Sequence, residues 1–258
     1  MTGNVIDSFD MFLKSLPESG NWFRGHSIAV NKLCPKVFRE PLFHSEVYLY
    51  NTFKLMAPAY YSDCPSDLDY FRWLCLMQHY KMATRLLDWT TNPLYALYFA
   101  VRNREEHGSD GELWTLNYRQ LNDLTKMSLP LITDSIDLQY MCEEGFYAHG
   151  KGCSEQRARD ELKARYKVTT VYKYPLAVFP IHEFERMKAQ QSTFTIHSFE
   201  SKDTDWHLET VCGVTRFIIP SSSKPNILKM MNKMGVRESA IYPSLESLSN
   251  DIMFNIVF

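Results

Sequence analysis

The chain has 258 residues, of which 45% are hydrophobic and 14% aromatic. This is enough apolar side chain to bury one large core, and the length lies at the upper end of a single domain. The formal net charge of -2 excludes a strongly basic chain, so the composition gives no global reason to expect a nucleic acid or an anionic membrane as a partner.

The cysteines and the lengths of the apolar runs indicate which compartment to expect, and whether to expect a membrane helix or a metal site. The six cysteines form no C-x-x-C pair, and the sequence opens without a charged segment followed by an apolar one. We therefore expect reduced thiols and a cytoplasmic protein. Every apolar run is shorter than the roughly 20 residues of a membrane helix, so we expect no membrane partner. Cys142, His149 and Cys153 match no common zinc spacing, and we expect no metal.

The first third of the chain predicts three helices and one strand. Apolar residues at helical spacing predict an amphipathic helix over residues 4–16. Residues 22–25 are aromatic and end in glycine, which favours a strand that opens onto a loop. Residues 45–57 are helical in pattern. A buried helix follows, with Ser66 as the predicted N-cap, and it delivers the polar residues 78–80 at its end.

A further helix is predicted directly after the polar segment that follows. Asn92 has the character of an N-cap, and Pro93 suits the first helical position, where its missing N–H costs nothing. Ala96, Phe99 and Ala100 give this helix a small-residue face that is suited to close packing on a sheet.

The rest of the chain mixes strands and helices. Residues 118–168 are rich in charge and predict a helical insertion. Strands are predicted at 112–116, 176–179, 194–198 and 216–219, and helices at 225–234 and after Pro243. Because there is no regular βαβ repeat, we expect a mixed α+β fold with a mainly antiparallel central sheet of short strands flanked by helices.

The densest polar segment runs from Gln78 to Asn92, interleaved with apolar residues. Polar groups between buried helices must pair with each other or face a pocket. One explanation is structural, with a salt bridge between Arg85 and Asp88 and threonines that cap the next helix. The other is functional, since Arg24 and a helix N-terminus would both favour an anion and together suit a phosphate-bearing ligand.

The common catalytic signatures are missing. The chain has no G-x-x-x-x-G-K-[ST], G-x-G-x-x-G or G-x-S-x-G, so a P-loop, a Rossmann fingerprint and a nucleophile elbow are not supported. His182-Glu183 begins like a zinc protease motif, but Arg186 stands where the second histidine is needed.

Several segments together form a recognisable pattern. They are Phe23-Arg24-Gly25, Gln78-His79-Tyr80, the run from Thr84 to Pro93, the run from Ala96 to Ala100, Arg186 with Ala189-Gln190, the run from Phe194 to His197, Ile219-Pro220, Lys224, Gly235 and the run from Tyr242 to Glu246. This pattern resembles the FRG domain family, and it implies a single FRG-type domain over residues 1–258. Lys81-Met82-Ala83 stands where the family usually has Gly-Leu-Pro, and Ser192 stands where glycine is common.

A second likeness concerns activity. An arginine on an early strand, a hydroxyl pair before a helix and an Ala-x-x-Phe-Ala step on that helix resemble the layout of ADP-ribosyltransferases. This likeness implies an ADP-ribosyltransferase-like fold in which Arg24 holds NAD as co-substrate and Thr90-Thr91 shapes the nicotinamide pocket. The residues that we assign to nucleotide binding are Arg24, Gly25, Gln78, His79, Arg85, Asp88, Thr90, Thr91, Asn92 and Tyr98.

Such a transfer also needs a carboxylate near the ribose, where it steadies the oxocarbenium-like centre and orients the nucleophile. Glu246 is the first candidate, because it lies in a segment that resembles the family. Glu183 and Glu185 are the second, because an extended Glu-Phe-Glu segment would place both carboxylates on one face of a strand.

Two hypotheses follow. The first is an NAD-using ADP-ribosyltransferase or NAD glycohydrolase, acting as a toxin or anti-phage effector on an unknown macromolecule and paired with an antitoxin or defence-system partner. The second is a non-catalytic FRG module that binds a nucleotide, a nucleic acid or a protein, with Trp22, Trp89 and Tyr98 available to stack on a base. A nuclease ranks last, because the sequence lacks a cluster of metal-binding carboxylates.

Overall fold

A computed structural model describes residues 4–30, 32–39, 41–42, 45–127, 135–151, 155–167, 172, 174–198, 208–211 and 213–257. These residues build one seven-stranded sheet with helices packed around it. The strands are β1 Asn4–Val5, β2 Asn21–His26, β3 Leu86–Thr90, β4 Gly111–Asn117, β5 Leu176–Val178, β6 Ser192–Ile196 and β7 Val214–Ile219.

The strand order is β1-β7-β4-β2-β3-β6-β5. Only β1 and β7 pair in parallel, and the other neighbouring strands all run antiparallel. The predicted α+β class with a mixed, mainly antiparallel sheet is therefore confirmed. The strands predicted within residues 22–25, 112–116, 176–179, 194–198 and 216–219 are all present, with ends that differ by a few residues.

The helices of the described residues include those predicted and two short ones, at residues 185–189 and 238–241, that were not predicted. They are α1 Phe9–Ser15, α2 Glu46–Met56, α3 Tyr70–His79, α4 Pro93–Val101, α5 Tyr118–Asp123, α6 Ile136–Lys151, α7 Glu155–Tyr166, α8 Glu185–Ala189, α9 Lys224–Lys233, α10 Glu238–Ile241 and α11 Leu245–Val257. The segment expected as a helical insertion consists of α5, α6 and α7 where it is described; its residues 128–134, 152–154 and 168 lie outside the described part.

Two helix starts differ from the sequence prediction. Residues 4–5 belong to β1 and not to the first helix, which begins after Ser8, whose side chain accepts a hydrogen bond from the Met11 N–H. The third helix is capped by Asp69 and not by Ser66, since the Asp69 carboxylate accepts from the Arg72 N–H at 3.2 Å. Both residue types are good caps, and the apolar face of the helix decides between them because it starts at residue 71.

Glycine lets α4 lie directly on β2. A Cβ on Gly25 would come within 1.8 Å of the Ala96 carbonyl oxygen and 2.9 Å of the Ala100 nitrogen. Gly111 on β4 meets the same helix, since its Cβ would lie 2.8 Å from the Ala100 carbonyl oxygen. The small-residue face predicted for α4 is thus confirmed, and it holds the helix at backbone contact distance from the sheet.

The sheet divides between its two central strands. β2 pairs with β4 along its whole length, whereas β2 and β3 share one pair of facing residues, Phe23 and Thr90. Beyond that pair β3 stays with β6 on its other side. The two halves of the sheet therefore separate beside Arg24, and backbone groups on the facing edges become available to side chains. No helix of the described residues is long and apolar enough to cross a membrane.

Candidate functional site

A cleft of about 560 Å³ opens where β2 and β3 separate. Its walls come from β2, β3, the end of α3, the loop around residue 36 and the segments near residues 102, 186 and 242. It combines polar groups with aromatic ones, among them Phe99 and Tyr242. A concave site of this size is in the range that holds a nucleotide-sized ligand.

Arg24 bridges the separated strands. Its Nη1 donates to the Asp88 carbonyl oxygen at 2.6 Å and lies 3.8 Å from the Asp88 carboxylate. Its Nε donates to Nε2 of His26 at 2.8 Å. Burial lowers the pKa of Arg24 from its ordinary value, but a guanidinium stays charged at any working pH. Nη2 makes no hydrogen bond to the described residues, so two donors of the side chain are available to a ligand in the cleft.

A buried carboxylate stands behind this arginine. Glu112 faces His26 across the β2–β4 ladder, and its Oε1 accepts from His26 Nδ1 at 2.7 Å. The Arg216 side chain donates to its Oε2 at 2.9 Å, and the Val30 N–H donates to Oε1 at 3.2 Å. Burial raises the pKa of Glu112, but the hydrogen bonds and the charge of His26 outweigh it and lower that pKa to about 2. Glu112 is therefore ionised.

Asp88 presents its carboxylate to the cleft from the middle of β3. Gln78, at the end of α3, donates to the Asp88 Oδ2 at 2.8 Å. The side-chain oxygen Oε1 of Gln78 in turn accepts from the Thr84 hydroxyl at 2.6 Å. This chain of hydrogen bonds fixes the turn between α3 and β3, and it holds Asp88 beside Arg24.

The cleft is strongly cationic although the chain carries a net charge of -2. The cationic side chains that line it are Arg24, Lys36, Arg39, Lys81, Arg102 and Arg186, and the carboxylates that line it are Asp88 and Glu106. Glu106 is engaged by the Ser27 hydroxyl. Apart from the contact between Arg24 and Asp88, the described carboxylates form no ion pair with these cations. An anionic ligand would relieve this excess of positive charge.

Two of these arginines share one aromatic ring. The guanidinium carbons of Arg102 and Arg186 each lie 4.8 Å from the centre of the Tyr242 ring. Two like charges are thus held within twice that distance of each other. Beside them, Nε2 of Gln190 is a buried donor with no hydrogen-bond partner among the described residues. Unsatisfied donors and unpaired guanidinium groups in one cleft indicate a place for oxygen atoms of a ligand.

Five of the residues assigned to nucleotide binding line the cleft: Arg24, Gly25, Gln78, Asp88 and Thr90. Gly25 lines it as backbone, and the contact with α4 explains why it is glycine. The Thr90 hydroxyl donates to the Gln190 carbonyl at 2.7 Å and accepts from the Asn92 N–H at 3.0 Å. Thr90 therefore closes the cleft wall and leads into the α4 N-terminus.

Arg85 lies in the core and not in the cleft. Its Nε and Nη2 each donate to a Glu46 carboxylate oxygen at 2.9 Å, and Nη1 donates to the Met141 carbonyl at 2.8 Å. Both members of this bidentate pair are almost fully buried. The structural explanation that paired Arg85 with Asp88 is therefore wrong, because Arg85, which directly precedes β3, enters the core, whereas Asp88 on β3 lines the cleft.

The other four assigned residues lie outside the cleft. Asn92 caps α4 through the Leu94 N–H, and the Thr91 hydroxyl donates to the Gln191 side-chain oxygen. The His79 ring stacks on Phe184 at 4.6 Å. Tyr98 borders a separate depression of about 380 Å³, and burial raises the pKa of its hydroxyl.

None of the three nominated glutamates lines the cleft. Glu246 is exposed in the first turn of α11, and Glu183 forms an ion pair with Arg72 at 2.7 Å. Glu185 opens α8, so Glu183 and Glu185 do not share one face of a strand as the sequence predicted. The short helix forms here because the chain must turn before it enters β6.

The prediction missed His26, Glu112 and most of the cationic lining. His26 follows Arg24 by two residues, which was the available signal for it. Glu112 meets His26 only through the strand register, and Arg102 and Arg186 meet only through Tyr242. These pairings are set by the tertiary fold, and a single sequence carries no local signal for them.

Lys81 keeps the shape of a turn in which glycine is usual. Its φ of 64° lies in the left-handed region that favours glycine, and it stands where the FRG pattern usually has that residue. Lys36 Nζ donates to the Lys81 carbonyl at 3.3 Å, which ties this turn to the opposite wall of the cleft. The lysine therefore adds a charge to the cleft at the cost of backbone strain.

The cysteines and other candidate metal ligands are dispersed in the described part of the chain. The described cysteines, Cys34, Cys64, Cys75 and Cys142, are free thiols, and no group of three metal-ligating side chains converges there. Cys153 lies outside the described residues, so the sequence argument about its spacing from Cys142 stays a prediction.

The fold and the cleft together define a mixed α+β protein with a cationic site in a divided sheet. The family model of the FRG domain matches residues 19–109, which confirms the FRG resemblance over the segment that supplies Arg24, Gln78 and Asp88. Arg186 and Tyr242 lie beyond the matched part. A search of curated proteins and a search of solved structures gave no match, and the likeness to ADP-ribosyltransferases stays a prediction.

Proposed function

We propose that the cleft binds a nucleotide through its phosphates, that this nucleotide is NAD, and that the protein cleaves the bond between nicotinamide and ribose. The observation that carries the proposal is the cationic lining, in which six basic side chains face two carboxylates. Arginine suits this role because its planar donors match two phosphate oxygens at once.

The choice of NAD comes from the second likeness and from the form of the cleft. A pyrophosphate would take donors from Arg24, and Phe99 and Tyr242 offer flat apolar surface for a base or for nicotinamide. In the proposed reaction the glycosidic bond breaks with its electron pair leaving on nicotinamide. A nucleophile then adds to the ribose carbon and gives up its proton. Among the described residues, Asp88 and Glu106 are the carboxylates that line the cleft, and either would have to serve as the base that takes this proton.

The second candidate is a non-catalytic nucleotide-binding module, and a specific observation favours it. The three glutamates nominated for catalysis lie outside the cleft, and Asp88 is already held by Gln78 and Arg24. Specific binding of NAD without release of nicotinamide would support this candidate. Affinity that falls steeply with added salt and prefers oligonucleotides would point to a nucleic acid instead.

The biological role rests on the FRG resemblance alone. We propose a toxin or anti-phage effector that modifies a macromolecule and is restrained by an antitoxin or defence-system partner. Modified protein or nucleic acid after incubation with labelled NAD would identify the acceptor, whereas free ADP-ribose would identify a glycohydrolase.

Arg24→Ala is expected to weaken ADP-ribose binding at least about thirtyfold, because it removes charged hydrogen bonds from a partly buried site. Calorimetry measures the affinity, and nicotinamide release from NAD measures the activity. Arg119→Ala is the matched control, since Arg119 is an exposed arginine against the Tyr118 ring outside the cleft. Equal loss in both variants, or wild-type protein that binds neither NAD nor ADP-ribose, would contradict the proposal.

Arg102→Ala and Arg186→Ala are each expected to weaken ADP-ribose binding by about tenfold, which corresponds to ~1.4 kcal/mol. Both arginines lack a carboxylate partner in the described structure, so folding should change little. The dependence of affinity on salt should become shallower in each variant, because one screened charge is gone. Unchanged affinity in the double variant would show that the ligand does not reach Tyr242.

A further inference from the structure

His26 lies between the positive charge of Arg24 and the negative charge of Glu112. Its Nε2 accepts from Arg24 Nε at 2.8 Å, and its Nδ1 lies 2.7 Å from the Glu112 carboxylate. Since Arg24 can only donate, Nε2 must carry no proton. The proton of the neutral ring then sits on Nδ1 and is donated to Glu112. The two neighbours therefore select one tautomer of His26.

Burying the Glu112 carboxylate costs free energy, and its main effect is to fix the position of His26. The carboxylate is fully buried on β4, and it stays ionised through donors from His26, Arg216 and the Val30 N–H. A buried ion pair adds little net stability compared with apolar residues of similar size, but it fixes geometry. Here the fixed element is the imidazole ring, and through it the guanidinium of Arg24.

We propose that His26 is the positioning residue of the nucleotide site: neutral His26 holds Arg24 by Nε so that Nη2 is directed to the ligand, and a protonated His26 releases it. The inference rests on the proposed binding of a nucleotide at Arg24. It adds that the affinity of the site is governed by the protonation of one ring that does not itself touch the ligand phosphate.

The groups around His26 give the direction of the effect. Burial lowers its pKa below the ordinary value, and the positive charges of Arg24 and Arg39 lower it further, against the opposing effect of Glu112. Arg216 lies behind Glu112, and Lys224 reaches the Ser27 carbonyl next to His26. Protonation would set an N–H of His26 against the Nε–H of Arg24 and add a further positive charge beside it. Nucleotide affinity is therefore full near neutral pH and falls as pH drops through the lowered pKa.

Two substitutions separate positioning from simple packing. His26→Gln keeps an acceptor for Arg24 and a donor for Glu112 on one side chain but cannot titrate. We expect it to bind ADP-ribose like the wild type at neutral pH and to lose the decline in acid. His26→Ala should bind ADP-ribose about tenfold more weakly at every pH, because Arg24 Nε loses its hydrogen-bond acceptor. Titration calorimetry from about pH 4 to about pH 8 extends below the range of an ordinary histidine, because the pKa of His26 is lowered by burial.

A ligand-free measurement keeps the test independent of the proposed function. The Arg24 Nε–H should give a distinct, slowly exchanging signal in a nitrogen–proton NMR spectrum. This signal should persist in His26→Gln, vanish in His26→Ala, and vanish in the wild type as the ring titrates. If the Arg24 Nε–H signal is the same in the wild type and in both variants, the proposed role of His26 is overturned. Failure of the wild type to bind ADP-ribose, with that signal behaving as expected, overturns the proposed function and leaves Arg24 as a positioned group without a nucleotide.

If His26→Ala does not fold, His26→Gln alone decides. An acid decline that persists in the folded glutamine variant assigns the pH dependence to another group and overturns the inference. A glutamine variant that binds weakly at neutral pH also overturns it, because the two hydrogen bonds would then not be sufficient to position Arg24.

Discussion

Replacing Arg85 with alanine should lower the free energy of unfolding by about 3–5 kcal/mol, because it leaves the buried carboxylate of Glu46 without its partner. Arg85 is fully buried, donates two hydrogen bonds of 2.9 Å to Glu46, and lies over the Phe146 ring at 5.3 Å. The loss combines an unpaired buried charge with a cavity in the cluster that joins α2, α3 and α6. Urea unfolding followed by tryptophan fluorescence measures it.

Two further variants test the cause. Arg85→Met combined with Glu46→Leu and Glu144→Gln removes Arg85 and the two buried carboxylates that pair with it and fills most of the space, so it should recover much of the lost stability. Lys14→Ala is the control for an ion pair at the surface, since Lys14 and Asp10 are both largely exposed. It should change the unfolding free energy by about 0.5 kcal/mol or less. Arg85→Ala with wild-type stability would contradict this account of the core.

Acidification should act on stability through the same region. His197 is fully packed near Arg85, and burial followed by the charge of Arg85 lowers its pKa to about 3. A histidine with a lowered pKa contributes stability that is present above its unfolded value of about 6.5 and is lost as pH falls toward the folded value. The pKa of His26 is lowered in the same direction, so acid weakens both the core and the cleft.

Arg85 also shows where the sequence stops being informative. The polar run from Gln78 to Asn92 correctly marked a segment whose side chains must find partners, and Asp88 and Thr90 do line the cleft. Within that run the sequence does not tell a cleft arginine from a core arginine. The partner of Arg85 is Glu46, which is 39 residues earlier and arrives on α2. Only the packing of α2 against α3 brings them together.

The acidic candidates lie outside the cleft for a related physical reason. Glu183, Glu185 and Glu246 were chosen by their neighbours in the sequence, but a carboxylate acts only where the fold points it. Glu112 was not chosen, although it is the buried acid of the site, because it looks like an ordinary residue at a strand end. Its importance follows from the register that pairs it with His26. Five of the seven strands were predicted, whereas β1, β3 and the pairing of the strands were not.

Replacing Gly25 with alanine is expected to destabilise the fold by about 3 kcal/mol or more, at the upper end of the cost of overpacking. The new Cβ would lie 1.8 Å from the Ala96 carbonyl oxygen, which is backbone, so no side-chain rotation can relieve the contact. Either α4 moves away from β2 or β2 bends at Arg24. Both movements widen the cleft. If Gly25→Ala folds, it should therefore bind ADP-ribose more weakly than the wild type even where the protein is fully folded.

Gly108→Ala provides the matched comparison. A Cβ on Gly108 would meet nothing within 4 Å, and its backbone is not in the left-handed region, so this change should be close to neutral. Gly25→Ala combined with Ala96→Gly should not recover, since the clash is with the carbonyl of residue 96 and not with its methyl group. Recovery in that double variant, or an unfolding midpoint of Gly25→Ala equal to that of Gly108→Ala, would mean that α4 yields easily. In that case the close contact of helix and strand does not set the position of Arg24, and the hydrogen bonds that Arg24 donates to His26 and to the Asp88 carbonyl must do so.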